Sequence, residues 1–203
     1  MGMLDWLEWS DLNLMTKNQK EIDKIKYEIA YIAYCWSVYS EAFVNEENAK
    51  VLNLRNGGIF NLFRISMIRD ILLGICKLTD TPSNGSNKNL TLDYLNKTGC
   101  ENYASEIEAV KISVKNIRNR RRKFLAHLDY KENIIEKSIP DVTIEEIDSA
   151  VKSLIKLLNT MPNENTQHDY KERGNVARLI RTLKIAHEHD EHIKRLRAEK
   201  LLY

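Results

Sequence analysis

The chain has 203 residues, 43% of them apolar and 30% charged, with only 7 Gly and 3 Pro. That apolar share suffices for a buried core and excludes a disordered chain, while so few backbone breakers favour long helices over a turn-rich sandwich. The formal net charge of +2 excludes a whole-surface nucleic-acid footprint, so any such contact must come from a local basic patch.

The opening Met1-Gly2-Met3-Leu4-Asp5-Trp6-Leu7-Glu8 lacks a basic leader and carries acids where a signal peptide is apolar. Residues 1–15 read as an extension whose Trp6 and Trp9 act as packing anchors. Thr16-x-x-Gln19 is a capping-box start. Beyond it Ile22, Ile25, Ile29, Ile32, Trp36, Tyr39 and Phe43 recur at gaps of three and four, which predicts one amphipathic helix over about 17–47.

Gly57-Gly58 reads as a break. A second helix over about 59–79 is apolar nearly all round, from Ile59 and Phe60 to Ile75 and Leu78, the signature of a central helix. Its greasiest stretch is interrupted by Arg64, Arg69, Asp70 and Lys77, so no membrane span is expected. Thr81 to Asn87 is a loop, and Leu92 to Lys97 a short helix with Thr91 as its N-cap.

The third long helix covers about 101–128, with the seam Ile107, Val110, Val114, Ile117, Arg121, Phe124 and Leu128. Thr143-x-x-Glu146 opens a fourth, carrying Ile144, Ile147, Val151, Leu154 and Leu158 inward to Met161-Pro162. A fifth, over about 170–200, packs at its start through Val176, Leu179, Leu183 and Ala186 and projects at its end. The expected fold is all-α: an antiparallel four-helix bundle with an extra short helix and a long C-terminal helix. The expected domains are 1–162 for the bundle and 163–203 for a helical appendage. Cys35, Cys76 and Cys100, odd in number and unrelated in spacing, fit a reducing, cytoplasmic setting.

The segment Arg118-Asn119-Arg120-Arg121-Arg122-Lys123-Phe124-Leu125-Ala126-His127-Leu128-Asp129 is where chemistry concentrates. Arg121 occupies an inward position between Ile117 and Phe124, and a guanidinium there is costly unless it is paired or opens onto a cleft. Asp70, set among apolar residues of the second helix, is a partner of the same kind. His127 follows at the helix end and Asp129 two residues later. An imidazole titrates near neutrality and can move a proton, and a guanidinium holds a phosphate through two hydrogen bonds. Together they supply what RNA cleavage without a metal requires. The same residues also fit a structural Arg121–Asp70 ion pair or a solvated charge run. His187-Glu188-His189-Asp190-Glu191-His192 on the fifth helix lacks the full HExxH arrangement and reads as a polar face, so no metal site is expected.

Arg-x(4–6)-His on the penultimate long helix of such a bundle resembles the HEPN superfamily. The blocks Arg69-Asp70-Ile71-Leu72-Leu73-Gly74-Ile75-Cys76-Lys77-Leu78-Thr79-Asp80, Asn89-Leu90-Thr91-Leu92 and Arg121-x-Lys123-x-x-Ala126-His127-x-Asp129 resemble its AbiU-type abortive-infection branch, over roughly residues 20 to 160. The resemblance implies a metal-independent endoribonuclease without cofactors, acting as a toxin or anti-phage effector. RNA is its implied substrate, and a second copy and an antitoxin protein its implied partners. It makes Arg121, His127, Asp129 and Asp70 the catalytic set, with Arg118, Arg120, Arg122 and Lys123 as RNA contacts. Arg120 and Arg122 also satisfy the permitted spacing to His127. A non-catalytic HEPN module that binds RNA or a nucleotide, and a helical protein-interaction module, are the alternatives.

Overall fold

The structure, a computed structural model, describes residues 17–84, 87–97, 103–120, 142–161 and 174–198. The fold is all-α, as expected. In chain order it contains α1 (Lys17–Tyr39), a π-helical turn (Ser40–Val44), α2 (Glu46–Thr79), α3 (Asp93–Lys97), α4 (Ala104–Ser113), α5 (Lys115–Arg120), α6 (Ile144–Thr160) and α7 (Asn175–Ala198). The one β ladder among the described residues is a two-residue hairpin pairing Ser83 with Lys88 and Asn84 with Asn87. The chain divides into two compact units, one from the described parts of 1–32 and 72–167, the other from those of 33–71 and 168–203.

In the first unit, α1 buries Ile25, Ile29 and Ile32 at the predicted spacing, and α2 from Leu72 onward buries Ile75, Cys76 and Leu78. The two helices meet closely at Gly74. A Cβ there would lie 3.0 Å from Ile32 Cγ1 and 3.1 Å from its Cδ1, so the absent side chain sets the approach. The seam Ile107, Val110, Val114 and Ile117 is buried along α4 and α5, and α4 packs along α6. Buried Ile147, Ala150, Val151, Leu154, Leu157 and Leu158 form the inner stripe of α6, which starts and stops where its caps dictate. The Tyr94 hydroxyl donates to Glu21, a bond that raises the Tyr94 pKa, and Lys111 pairs with Asp93 at 2.5 Å.

In the second unit, Ala42, Leu52, Val176 and Ile180 form a core with Val38, Phe43, Val51, Phe60 and Leu183 packed around it. Trp36 stacks on Tyr39 with ring centroids 5.6 Å apart, and Tyr39 meets Phe43 at a tilt of 50° with centroids 5.4 Å apart. Gly174, at a φ of 77°, turns the chain into α7 in a conformation costly for other residues.

Four expectations need correction. The first break falls at Asn45, ahead of the one expected at Gly57-Gly58. Asn45 is extended (ψ 110°), its side chain accepts from the Asn48 N–H at 3.2 Å, and its carbonyl accepts from Ala49. It therefore caps α2, whose first turn carries Glu46 and Glu47 as the helix dipole favours. Asn48 Nδ2 closes the junction by donating to the Glu41 carbonyl and carboxylate, at 2.8 and 2.9 Å. The break expected at Gly57-Gly58 falls one residue earlier, at Asn56, whose non-helical backbone (φ −161°, ψ 66°) kinks α2.

The central position expected for the second helix holds only from Ile71 onward, because Ile59, Leu62, Phe63 and Ile65 are exposed. Thr91 does not cap α3 through its side chain: its hydroxyl is buried with no hydrogen-bond partner, and the Tyr94 N–H goes to the Thr91 carbonyl. On α7 the inward residue is Ile180, and Leu179 is exposed. Thr16 and the expected residues 121–128 of the third helix lie outside the described residues.

Candidate functional site

The basic run begins on α5, and three contacts fix where it begins. Val114 and Ile117 are buried, which orients the last described turn. The Cys76 thiol, buried in α2, donates to the Ile117 carbonyl at 3.9 Å, a weak bond over a dry contact. Asn116 Nδ2 donates to Glu146 Oε1 at 2.6 Å.

Glu146 thereby serves two structures. Its Oε2 accepts from the Thr143 backbone N–H at 3.0 Å while Thr143 Oγ1 accepts from the Glu146 N–H at 3.2 Å, completing the predicted capping box. One carboxylate thus joins the last described turn before Arg121 to the first turn of α6. On α4 the Ser105 hydroxyl bonded to Glu106 holds that carboxyl below its usual range.

Arg118 and Arg120 both lie on α5 and are half-buried. Arg121, Arg122, Lys123, His127 and Asp129 lie outside the described residues. Asp70 is on α2 in the second unit and is exposed. The core position expected from its apolar neighbours does not hold: Ile71 and Leu72 beside it are buried, while Asp70 itself stands on the exposed side of the helix.

The histidine-rich stretch of α7 holds an ion pair. Arg55 Nη1 donates to Asp190 Oδ2 at 2.6 Å, and that bond holds the Asp190 carboxyl below its ordinary 3.8. Among the described residues no group of three or more His, Cys, Asp or Glu could hold a metal ion. No described helix is long and apolar enough to cross a membrane. Sequence reasoning missed Cys76, Asn116 and Arg55 as positioning residues. None carries a local signal, since each acts on a residue at least 30 positions away.

An all-α chain whose α5 leads into an arginine and histidine run resembles the HEPN type. The HEPN_AbiU2 family model (AbiU2) matches residues 15–180, and the chain belongs to that family, the AbiU-type abortive-infection branch of the HEPN superfamily. The match takes in Asp70, the basic run, His127 and Asp129. No curated protein and no solved structure matches the chain.

Proposed function

We propose that the protein is a metal-independent endoribonuclease that acts in the cytoplasm as an abortive-infection effector. One observation carries the reading: within the family match, a seam buried without interruption from Ile107 to Ile117 is continued in the sequence, at the same spacing, by Arg121, with His127 six residues beyond it. The three-and-four spacing of the sequence puts a guanidinium next in that series, and it has a use if it faces a phosphate.

In this reading the His127 imidazole takes the proton of a ribose 2′-hydroxyl. The freed oxygen attacks the adjacent phosphorus, the bond to the 5′ oxygen breaks, and the protonated imidazole returns the proton to that leaving oxygen. Arg121 holds the phosphoryl oxygens as charge builds on them. Asp129 orients the pair, and Arg118, Arg120, Arg122 and Lys123 attract the RNA backbone. The products are a 2′,3′-cyclic phosphate and a 5′-hydroxyl.

The test is incubation of purified protein with total cellular RNA in the presence of a chelator. Wild type cleaves, and His127→Ala loses cleavage by at least about 100-fold, the lower end of what a positioned acid or base contributes, while its circular dichroism spectrum is unchanged. Equal cleavage by the variant overturns the assignment. RNA bound with salt-sensitive affinity but never cleaved identifies a non-catalytic module instead.

A further inference from the structure

Helix α1 has a wet side that packing does not account for. Of its side chains from Gln19 to Tyr39, the exposed ones are Lys20, Lys24, Tyr27 and Tyr31. Their gaps of four, three and four place them within about 60° of one another on an ideal helix, opposite the buried Ile25, Ile29 and Ile32. Tyr27 and Tyr31 are 53 and 42% exposed. Their rings are nearly parallel, with 13° between the planes and centroids 6.5 Å apart. Lys24 Nζ stands over the Tyr27 ring, 4.9 Å from its centroid. Two ordered rings and two ammonium groups therefore run in single file along about 16 Å of helix.

The carboxylates of α1 do not cancel this file. Glu21 accepts from the Tyr94 hydroxyl, Asp23 accepts from Gln19 at 3.0 Å, and Glu28 pairs with Lys24 at 2.9 Å. That last pair is open to solvent and worth little there, and an ammonium has three donors to offer. We infer that the file is a docking surface for single-stranded RNA, separate from the Arg121 and His127 run: bases stack on Tyr27 and Tyr31, and Lys20 and Lys24 hold the phosphates. Ring faces with cations in line match a strand of bases and phosphates by shape and by charge, whereas a stable protein contact needs a broader patch than two rings. Every base has a π face, so such a platform holds RNA without regard to sequence. A duplex keeps its bases stacked on one another, so the surface selects unpaired strands. The choice of RNA rests on the nuclease reading; the platform itself rests on α1.

Fluorescence anisotropy of the full chain with a labelled RNA strand of about 12 nucleotides, inside the roughly 4–16 that such surfaces span, tests it. The strand is 2′-O-methylated, so that it binds without being cut. Tyr27→Ala weakens binding by about 5- to 150-fold, the worth of one stacked base, at unchanged helical content. Tyr27→Phe, which keeps the ring, binds like wild type. Lys20→Gln with Lys24→Gln lowers the slope of log Kd against log salt by about 0.7 per lysine. Wild-type affinity in Tyr27→Ala overturns the inference, as does a wild type that binds no strand. An equal loss in Tyr27→Phe overturns it too, because the ring face is then not what binds, and an unchanged salt slope removes the lysines and with them the site as described. Should Tyr27→Ala leave the affinity for RNA intact and change only the sedimenting mass, the file is a protein interface and the inference falls. Tyr27-dependent binding by a protein that cuts no RNA would leave this inference standing and sink the nuclease reading. Cleavage with binding indifferent to Tyr27 would do the reverse.

Discussion

Gly74 tests whether the close contact of α1 and α2 is real. Replacing a helical glycine by alanine ordinarily stabilises by about 1 kcal/mol, because the glycine loses more backbone freedom on folding. Here the added Cβ would meet Ile32 Cγ1 at 3.0 Å and Cδ1 at 3.1 Å, a few tenths of an ångström inside ordinary contact. Ile32 is 2% exposed, and as a β-branched residue on a helix it has one strongly preferred χ1 rotamer, so it yields poorly. Overpacking of this kind costs about 1–3 kcal/mol, and the clash outweighs the propensity gain. Gly74→Ala should therefore destabilise by about 1 kcal/mol, or lower Tm by about 2–4 °C for a chain of this size. With Ile32→Ala both contact atoms are gone, and the same Gly74→Ala change should then stabilise by about 1 kcal/mol. The cycle of four proteins, followed by urea unfolding with circular dichroism, should give a coupling of about 2 kcal/mol. If Gly74→Ala stabilises equally in both backgrounds, the two helices do not touch there and the account of Gly74 is wrong.

The remaining predictions concern caps, charges and chemistry. Thr143→Ala removes one half of the capping box and loosens Glu146, which also receives Asn116; a loss of about 1 kcal/mol is expected, with Thr143→Ser near wild type in the same urea titration. Asp190 is held below its ordinary 3.8 by the Arg55 hydrogen bond. A depressed carboxyl contributes stability that is complete above its unfolded value and is lost as pH falls through the folded one. Asp190→Asn should therefore flatten the fall in Tm below about pH 4, and an unchanged acid slope would count against the Arg55 pair. The His127→Ala change set out above completes the set, read by RNA cleavage.

How much of this was legible in the sequence follows from how local each cause is. The buried stripes of α1, α4 and α6 were readable because each repeats at three and four residues and faces one core. The capping box at Thr143 and Glu146 was readable because both partners lie within one turn. The Asn45 break carried a signal too, an Asn followed by two acids, but the glycine pair is the louder punctuation, and it marks the kink at Asn56 rather than the cap eleven residues earlier. Glycine only permits a break; an Asn whose side chain takes the place of a backbone acceptor makes one. The exposed half of α2 could not be read, because an all-apolar helix looks the same whether its cover is this chain or another. At the candidate site the inward register of the seam to Ile117 was legible. The contacts that hold it, Cys76 to Ile117 and Asn116 to Glu146, join residues 41 and 30 positions apart, and pattern reasoning has no access to them.

Both long helices feed two cores. α1 contributes Ile25, Ile29 and Ile32 to the first unit and Trp36 and Tyr39 to the second, and α2 is divided in the same way between Leu52 and Ile75. Neither unit can therefore be excised by cutting between helices, since every such fragment would carry half of each rod stripped of its burial. A chain truncated after residue 162 would keep α1 and α2 whole and still leave Ala42 and Leu52 wet, deprived of Val176 and Ile180.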